Sequence, residues 1–317
     1  MNKICAILPY YGEFHPFFNL FLHSVGRNRN ILDLLLVTDE PVAFDVPGNV
    51  KLLYLSKEEL SGKVSKCIKE WFGVEVSSCF PEKAGSRTGM YKLCDYRIFY
   101  QDLFKEFLNK YEYWGFVDAD TVLGDIKNLL FDLDHYDVVG HKGHMCFLRN
   151  NETYKKIMLD FNYWGDLKGY PQREHGKALL QITDITKNHI FDEGWMQGNL
   201  HVFNSNRRDF NLLRTYTPSR PMMCDIYSPK ESPEKYLDNL WVRDFDKEDS
   251  LEKNYKKQYF EYRDGKLFRN SEEKTRETEH LYVHLIHRQH IIKNNIIIKN
   301  FSDPLNFQIN SKEFKLI

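Results

Sequence analysis

The sequence predicts an α/β fold, with a mixed, mostly parallel sheet flanked by helices. Two observations carry that expectation. Short apolar runs closed by turn residues (3–9, 31–37, 50–55) alternate with longer stretches of helical periodicity, the pattern of strand–helix–strand units. The composition is that of a globular chain: 317 residues, 42% hydrophobic, 28% charged and 15% aromatic. That is long enough to bury a sizeable core. The regular pattern covers residues 1–150 and loosens over 151–317, which reads as two halves of one continuous domain with an irregular C-terminal part.

The elements follow in order. Residues 3–9 form a buried strand closed by Pro9-Tyr10-Tyr11-Gly12. Residues 14–25 carry aromatics and Leu at helical spacing, with Pro16 in the first turn, where proline is tolerated. Residues 31–37 and 50–55 are the second and third strands. Ser56 then caps a helix with Glu59 three residues on, and that helix runs to Trp71-Phe72 and stops at Gly73. Residues 80–89 read as a loop and 90–110 as a helix with Cys94, Ile98, Phe99, Leu103, Phe104, Phe107 and Leu108 on its apolar positions. Residues 113–117 are a fourth strand, 126–133 a short helix and 136–140 another strand. Residues 228–279 are strongly charged.

Several function classes are excluded or disfavoured. With 44 Lys+Arg against 45 Asp+Glu the formal charge is 44 − 45 = −1, so the basic footprint of a nucleic-acid binder is missing. No run approaches the ~18 apolar residues of a membrane span. The apolar run before Pro9, residues 4–8, is five residues long, shorter than the ~7–15 of a secretory segment, and the expected location is cytoplasmic. The six cysteines lie far apart with no Cys-x-x-Cys, which fits reduced thiols rather than a disulfide frame or zinc site. The sequons at Asn151 and Asn300 are then chance matches. Gly-x-Gly-x-x-Gly, Walker and Gly-x-Ser-x-Gly patterns are absent.

The most informative stretch is Trp114-Gly115-Phe116-Val117-Asp118-Ala119-Asp120-Thr121. At an extended strand end, residues i and i+2 point the same way. Asp118 and Asp120 would then stand side by side at the carboxyl edge of a sheet, where ligands of open α/β folds collect. Paired carboxylates repel unless a cation neutralises them, and oxygen ligands suit Mg²⁺ or Mn²⁺. The bland alternative is two solvated acids in a turn. An EF-hand loop fails, because its sixth and twelfth places hold Leu123 and Leu129. Asp118-Ala119-Asp120-Thr121-Val122 also looks like the nucleophile motif of haloacid-dehalogenase-type phosphatases. That motif normally follows the first core strand, and three strand-like runs precede it here.

Other candidates are weaker alone. Lys92, Asp95 and Phe99 share a helix face, and Lys92 and Asp95 either reach a donor's phosphate and sugar or form a surface ion pair. Asp39 ends the second strand, either to accept a hydrogen bond from a base or ribose or as a plain turn residue. Phe191-Asp192-Glu193-Gly194-Trp195 offers a carboxylate base or a helix cap. In Tyr282-Val283-His284-Leu285-Ile286-His287-Arg288, alternation puts Tyr282, His284 and Ile286 on one strand face. His284 is a candidate metal ligand beside the Asp pair, and Arg288 a phosphate binder. The basic and Ile-rich stretch 288–299 either touches an anionic membrane face or packs on the body.

The ordered set of Pro9-Tyr10-Tyr11-Gly12, Thr38-Asp39, Tyr91-Lys92-Leu93-Cys94-Asp95-Tyr96-Arg97, Trp114-Gly115-x-x-Asp118-x-Asp120 and Tyr282-x-His284 resembles GT-A-type nucleotide-sugar glycosyltransferases. More narrowly it is similar to a bacterial family linked with capsule and lipopolysaccharide assembly. The likeness covers most of residues 1–150 and a short piece at 282–288. It implies a GT-A-like fold and a Mn²⁺- or Mg²⁺-dependent hexosyltransferase with a DXD motif. The implied donor is a nucleotide-diphosphate sugar, UDP-linked, and the implied acceptor a glycan or lipid-linked oligosaccharide at the inner membrane face. Asp120 would bind the metal directly, Asp118 the ribose and metal shell, and His284 would be the third protein ligand. Tyr10, Tyr11, Gly12 and Asp39 would hold base and ribose, and Lys92, Asp95 and Arg288 the diphosphate-sugar. Glu193 or Asp192 would be the base of an inverting enzyme. The family's late segment more often reads His-x-Gln-Lys-Arg, which leaves open whether His284 or His287 is the ligand. The rival readings are a phosphohydrolase with Asp118 as nucleophile, and a non-catalytic carbohydrate-binding protein using Tyr163-Trp164 and Trp195.

Overall fold

In the order β3-β2-β1-β4-β7-β6-β8, seven strands form the central sheet of the computed structural model. The structure describes residues 3–73, 75–76, 79–80, 93–94, 96–129, 133, 137–142, 144–152, 154–155, 215–216, 223–225, 258–271, 274–285, 298, 300–301, 303–310 and 314–317. The central strands are β1 (Ile4–Pro9), β2 (Leu32–Thr38), β3 (Val50–Tyr54), β4 (Tyr113–Val117), β6 (Val138–Lys142), β7 (Met145–Arg149) and β8 (Thr215–Tyr216). β3, β2, β1 and β4 run parallel, whereas β7 is antiparallel to both β4 and β6. β1 is buried at every position, as a near-continuous apolar run in a parallel sheet requires.

A Cβ on Gly115 would lie 1.9 Å from the carbonyl oxygen of Cys146. Glycine is therefore the residue that lets β7 approach β4, with Gly115 opposite Phe147.

Helices cover both faces. α1 (Phe18–Arg27) is buried nearly all round. Phe18, Phe21, Leu22 and Val25 pack on the central sheet, while Phe17 and Leu20 at its start face a second apolar cluster. Pro16 lies before this helix rather than in its first turn. The aromatic crowd Tyr10, Phe14, Phe18 and Phe44 occupies the approach instead. α2 (Lys57–Phe72) begins at Ser56 with both hydrogen bonds of a capping box and ends at Gly73 with φ +68°, as its sequence signals demand. Leu60, Val64, Cys67, Ile68 and Trp71 form its buried stripe. Each large apolar side chain buried there stabilises the fold by about 1.5–3 kcal/mol.

The expected helix over 90–110 is broken where it is described. A 3₁₀ turn at Tyr96–Phe99 leads into single turns at Tyr100–Leu103 and Lys105–Leu108. Phe104, at φ −118°, interrupts the ladder. Of the short helix expected over 126–133, Ile126–Leu129 is helical, and residues 130–132 lie outside the described residues. The last predicted strand lies at Val138–Lys142 and forms a hairpin with β7, an element that the sequence pattern did not resolve.

Two smaller sheets lie beyond. β5 (Thr121–Leu123), β13 (Tyr282–His284) and β9 (Met223–Asp225) form one, in the order β5-β13-β9. β10 (Gln258–Arg263), β11 (Lys266–Ser271), β12 (Lys274–His280), β14 (Asn306–Asn310) and β15 (Phe314–Leu316) form an antiparallel sheet. Period-two alternation joins the layers: Leu123 and Tyr282 enter the core of the central sheet, and Val122 and Val283 the core of the antiparallel one.

Buried Asn28 ties α1 to this junction. Its amide donates to the carbonyls of Ser24 and Gly124 at 2.9 Å, and its oxygen accepts from the Ile126 N–H at 2.9 Å. The expected element at 291–298 lies almost wholly outside the described residues.

Candidate metal centre

β4 ends at Val117, and the chain turns through Asp118-Ala119-Asp120 into β5. The two carboxylates are therefore brought together by a turn and not by strand alternation. The Thr121 N–H and Oγ1 both donate to the Asp118 carbonyl, at 3.2 and 2.7 Å. Neighbouring segments clamp the turn from both sides. The Asp118 N–H donates to the His144 carbonyl at 2.8 Å, and the Leu285 N–H donates to the Asp120 carbonyl at 2.7 Å.

The second clamp brings in β13, because Thr121 pairs with His284 in the β5–β13 ladder. A Cβ on Gly124 would lie 2.2 Å from the carbonyl oxygen of His280, the last residue of β12, so the close approach of the chain entering β13 needs glycine there.

The result is a three-residue cluster. Asp118, Asp120 and His284 offer ligand atoms that all lie within 4.8 Å of one another. His284 Nε2 is 3.2 Å from Asp120 Oδ1, with the His284 side chain 6% and that of Asp120 36% exposed. The imidazole is thus fixed while Asp120 remains open to a ligand. Arg97 Nη2 donates to Asp118 Oδ1 at 2.5 Å, and the guanidinium lies over the Phe116 ring, 4.3 Å from its centroid. A carboxylate has two oxygens and about four acceptor positions, so Asp118 keeps capacity beyond Arg97.

Burial raises the Asp118 carboxyl above its ordinary range, against the pull of Arg97 and with a further push from Asp120. Burial also opposes charge on Asp120, but the charge of His284 and its hydrogen bond outweigh it and hold Asp120 below the ordinary range.

These residues fit a divalent cation. Two carboxylates and one imidazole form a donor set suited to Mn²⁺ or Mg²⁺. Metal–ligand bonds of about 2.1 Å would draw such atoms to about 4.2 Å or closer, a small contraction of the observed cluster.

The remaining predicted residues fall as follows. Tyr10 ends the first strand's turn with its hydroxyl tied to its own loop. It accepts from the His15 N–H at 3.2 Å and donates to the Glu13 carbonyl at 3.3 Å. Burial pushes its hydroxyl up to about 12. Tyr11 is buried, and its hydroxyl has no hydrogen-bond partner among the described residues. Burial, followed by the charge of Asp39, raises that hydroxyl. Asp39 lies just past β2, 3.9 Å from Lys57 Nζ, and that ammonium also stands over the Tyr11 ring at 5.9 Å. Gly12 adopts φ +86°, a turn conformation that suits glycine. His284 of the late segment stands beside the Asp pair. Lys92, Asp95, Asp192, Glu193, His287 and Arg288 lie outside the described residues, as do Tyr163, Trp164 and Trp195.

Two site residues were missed. Arg97 is a charge inside the apolar run Tyr96–Phe99 and is buried. Such a residue is buried only when paired, a signal that was there to be read. His144 stacks on His284 with ring centroids 3.7 Å apart, and nothing in its local sequence announces that contact.

The solved structures that align with the chain include two of one glycosyltransferase. One is the apo form of the glycosyltransferase GlyE in Streptococcus pneumoniae TIGR4, at 11% identity and a TM-score of 0.29, covering 68% of this chain and 45% of that one. The other, titled as GlyE of the same organism, aligns at 10% identity and a TM-score of 0.27, covering 69% and 45%. The chain therefore spans less than half the length of those structures. No curated protein matches its sequence. No helix among the described residues is long and apolar enough to cross a membrane. Residues 6–316 match the model of the "Family of unknown function (DUF6625)", and the chain belongs to that family.

Proposed function

We propose that this chain is a metal-dependent glycosyltransferase. It moves one hexosyl unit from a nucleotide-diphosphate donor, UDP-linked, to a hydroxyl of a growing bacterial surface glycan. The observation that carries this reading is the meeting of Asp118 and Asp120, from one turn at the carboxyl edge of the central sheet, with His284 of β13 within 4.8 Å. Such a convergence of distant residues at a ligand-collecting edge is what the ordered motifs of the sequence imply.

In this reading Asp118, Asp120 and His284 hold Mn²⁺ or Mg²⁺. When bound, the ion supplies positive charge for the departing diphosphate, where negative charge develops. Tyr10, Tyr11 and Asp39, at the ends of the first two strands, flank the base and ribose. Lys92, Asp95 and Arg288 serve the diphosphate and sugar. The sugar C1–O bond to the diphosphate breaks and a bond from C1 to the acceptor oxygen forms, through an oxocarbenium-like transition state. In an inverting reaction the acceptor proton passes to Asp192 or Glu193.

The test is donor hydrolysis with Mn²⁺ and a panel of UDP-sugars. Wild type is expected to turn over one of them, and Asp120→Ala to lose more than about a hundredfold in rate, the scale of one removed electrostatic contact or more. Full-rate hydrolysis by Asp120→Ala in EDTA overturns the proposal. So does a stable beryllofluoride adduct at Asp118, the signature of a phosphohydrolase.

A further inference from the structure

We propose that His144 is a positioning residue that locks the two halves of the metal centre together. The inference rests on the metal reading above. The centre is assembled from two segments far apart in the chain: the Asp118–Asp120 turn and the end of β13. His144, at the tip of the β6–β7 hairpin, touches both. Its carbonyl accepts the Asp118 N–H at 2.8 Å. Its ring lies on the His284 ring, centroids 3.7 Å apart and planes 30° from parallel. A third contact fixes the ring itself, for its Nδ1 lies 3.3 Å from the hydroxyl of Tyr282, which meets it edge-on at 5.9 Å and 90°.

Tyr282 and His284 project from the same side of β13, two residues apart. The imidazole of His144 is therefore held by one of them and presses on the other. His284 in turn reaches Asp120 at 3.2 Å. The contacts form a continuous chain from Tyr282 through His144 and His284 to Asp120, and the backbone of His144 adds Asp118. Among the described residues the ligand cluster comprises Asp118, Asp120 and His284 without His144, so the geometry assigns His144 to orientation and not to coordination. Groups that orient a metal-binding histidine commonly govern affinity by about ten- to a hundredfold.

The experiment is a Mn²⁺ titration of the full chain followed by electron paramagnetic resonance, on wild type, His144→Ala and His144→Phe. Phenylalanine keeps a flat ring over His284 but has no nitrogen, and the backbone contact to Asp118 survives in both variants. The expected result is Mn²⁺ affinity about ten- to a hundredfold weaker in His144→Ala and restored close to wild type in His144→Phe. Unchanged affinity in His144→Ala overturns the proposal. Equal weakening in both variants also overturns it, because a ring stacked on His284 then contributes nothing to positioning. Wild type that binds no Mn²⁺ removes the metal reading itself, and the positioning role with it.

Discussion

Both edges of the central sheet carry half-buried acids, and they are balanced differently. At the amino edge, Asp33 near the start of β2 accepts the hydroxyl of Tyr111 and lies 3.4 Å from Lys51 Nζ. That ammonium donates to the same tyrosine at 2.7 Å. The Lys110 ammonium stands over the same ring, 5.2 Å from its centroid, so this carboxylate lies among cationic and hydroxyl partners. At the carboxyl edge, Asp118 and Asp120 share a turn with one guanidinium, Arg97, and an imidazole. Among the described residues, two carboxylates stand there against one guanidinium and one imidazole. Buried charge without a partner is costly. The amino edge thus pairs its acid within the protein, whereas the carboxyl edge gathers three ligand atoms that could hold a cation. Fold and function use the same residue types and are told apart by how those residues are partnered.

The sharpest way to break this comparison is to remove Arg97. Its side chain and that of Asp118 are 10% and 21% exposed, so Arg97→Ala leaves Asp118 nearly buried beside a second acid. Breaking one partner of a buried pair costs about 3–5 kcal/mol, read as a large fall in unfolding temperature or denaturant midpoint. Added Mn²⁺ should recover more stability in this variant than in wild type, since a ligand that binds only the folded state stabilises it. Equal Mn²⁺ responses in the two proteins would mean that the Asp118–Asp120 pair is not what the cation answers.

A smaller effect is expected at the opposite edge. Asp33→Asn keeps the shape and weakens the contacts to Tyr111 and Lys51. Lys51 is 39% exposed, and solvent screens part of the interaction. The expected loss is about 1–2 kcal/mol of stability, with Mn²⁺ affinity unchanged in the same titration. A drop in Mn²⁺ affinity would show that the two edges are coupled and would dissolve the distinction between them.

The sequence made some of this contrast legible. Local signals were read well: Ser56 with Glu59 specified a capping box, and Gly73 the left-handed stop. The Asp118/Asp120 pair and His284 were legible as candidates, because an apolar strand feeding two acids has few other uses. The manner of their meeting was not. Strand alternation was expected, whereas hydrogen bonds from Thr121 and the His144 carbonyl shape a turn. Arg97 and His144 act through contacts with residues 21 and 140 positions away (118 − 97 and 284 − 144), and no local periodicity encodes such distances. One readable signal was passed over. Asp264-Gly265 links β10 and β11 with both residues at positive φ, 45° and 91°, the tight hairpin turn that an Asp-Gly pair favours. It lay within or beside a charged stretch that masked the alternation of its strands.

The last and smallest expected effect sharpens the comparison from the histidine side. His284 lies against a carboxylate, whereas His23 of α1 is buried with its Nε2 3.0 Å from the backbone carbonyl of Asp303 and its Nδ1 3.5 Å from the Tyr262 hydroxyl. Burial lowers the His23 pKa and Arg27 adds to the effect, against the Asp303 carbonyl and the charges of Asp264 and Asp303. The sign follows from proton linkage. Below its ordinary value of about 6.5, His23 takes a proton more readily in the unfolded chain than in the folded one. Stability is therefore full above that value and declines as pH falls through it toward the folded pKa, with a slope of at most about 1.4 kcal/mol per pH unit from this group. His23→Gln removes the proton uptake. The stability gap between wild type and His23→Gln, measured by urea unfolding, should be constant above about pH 7.5 and should move in favour of the variant as pH drops from about 6.5 to 5. A gap independent of pH would mean that the α1–β10 seam lets a charged imidazole reach water. His23 would then be no counterpart to the histidine held at the metal centre.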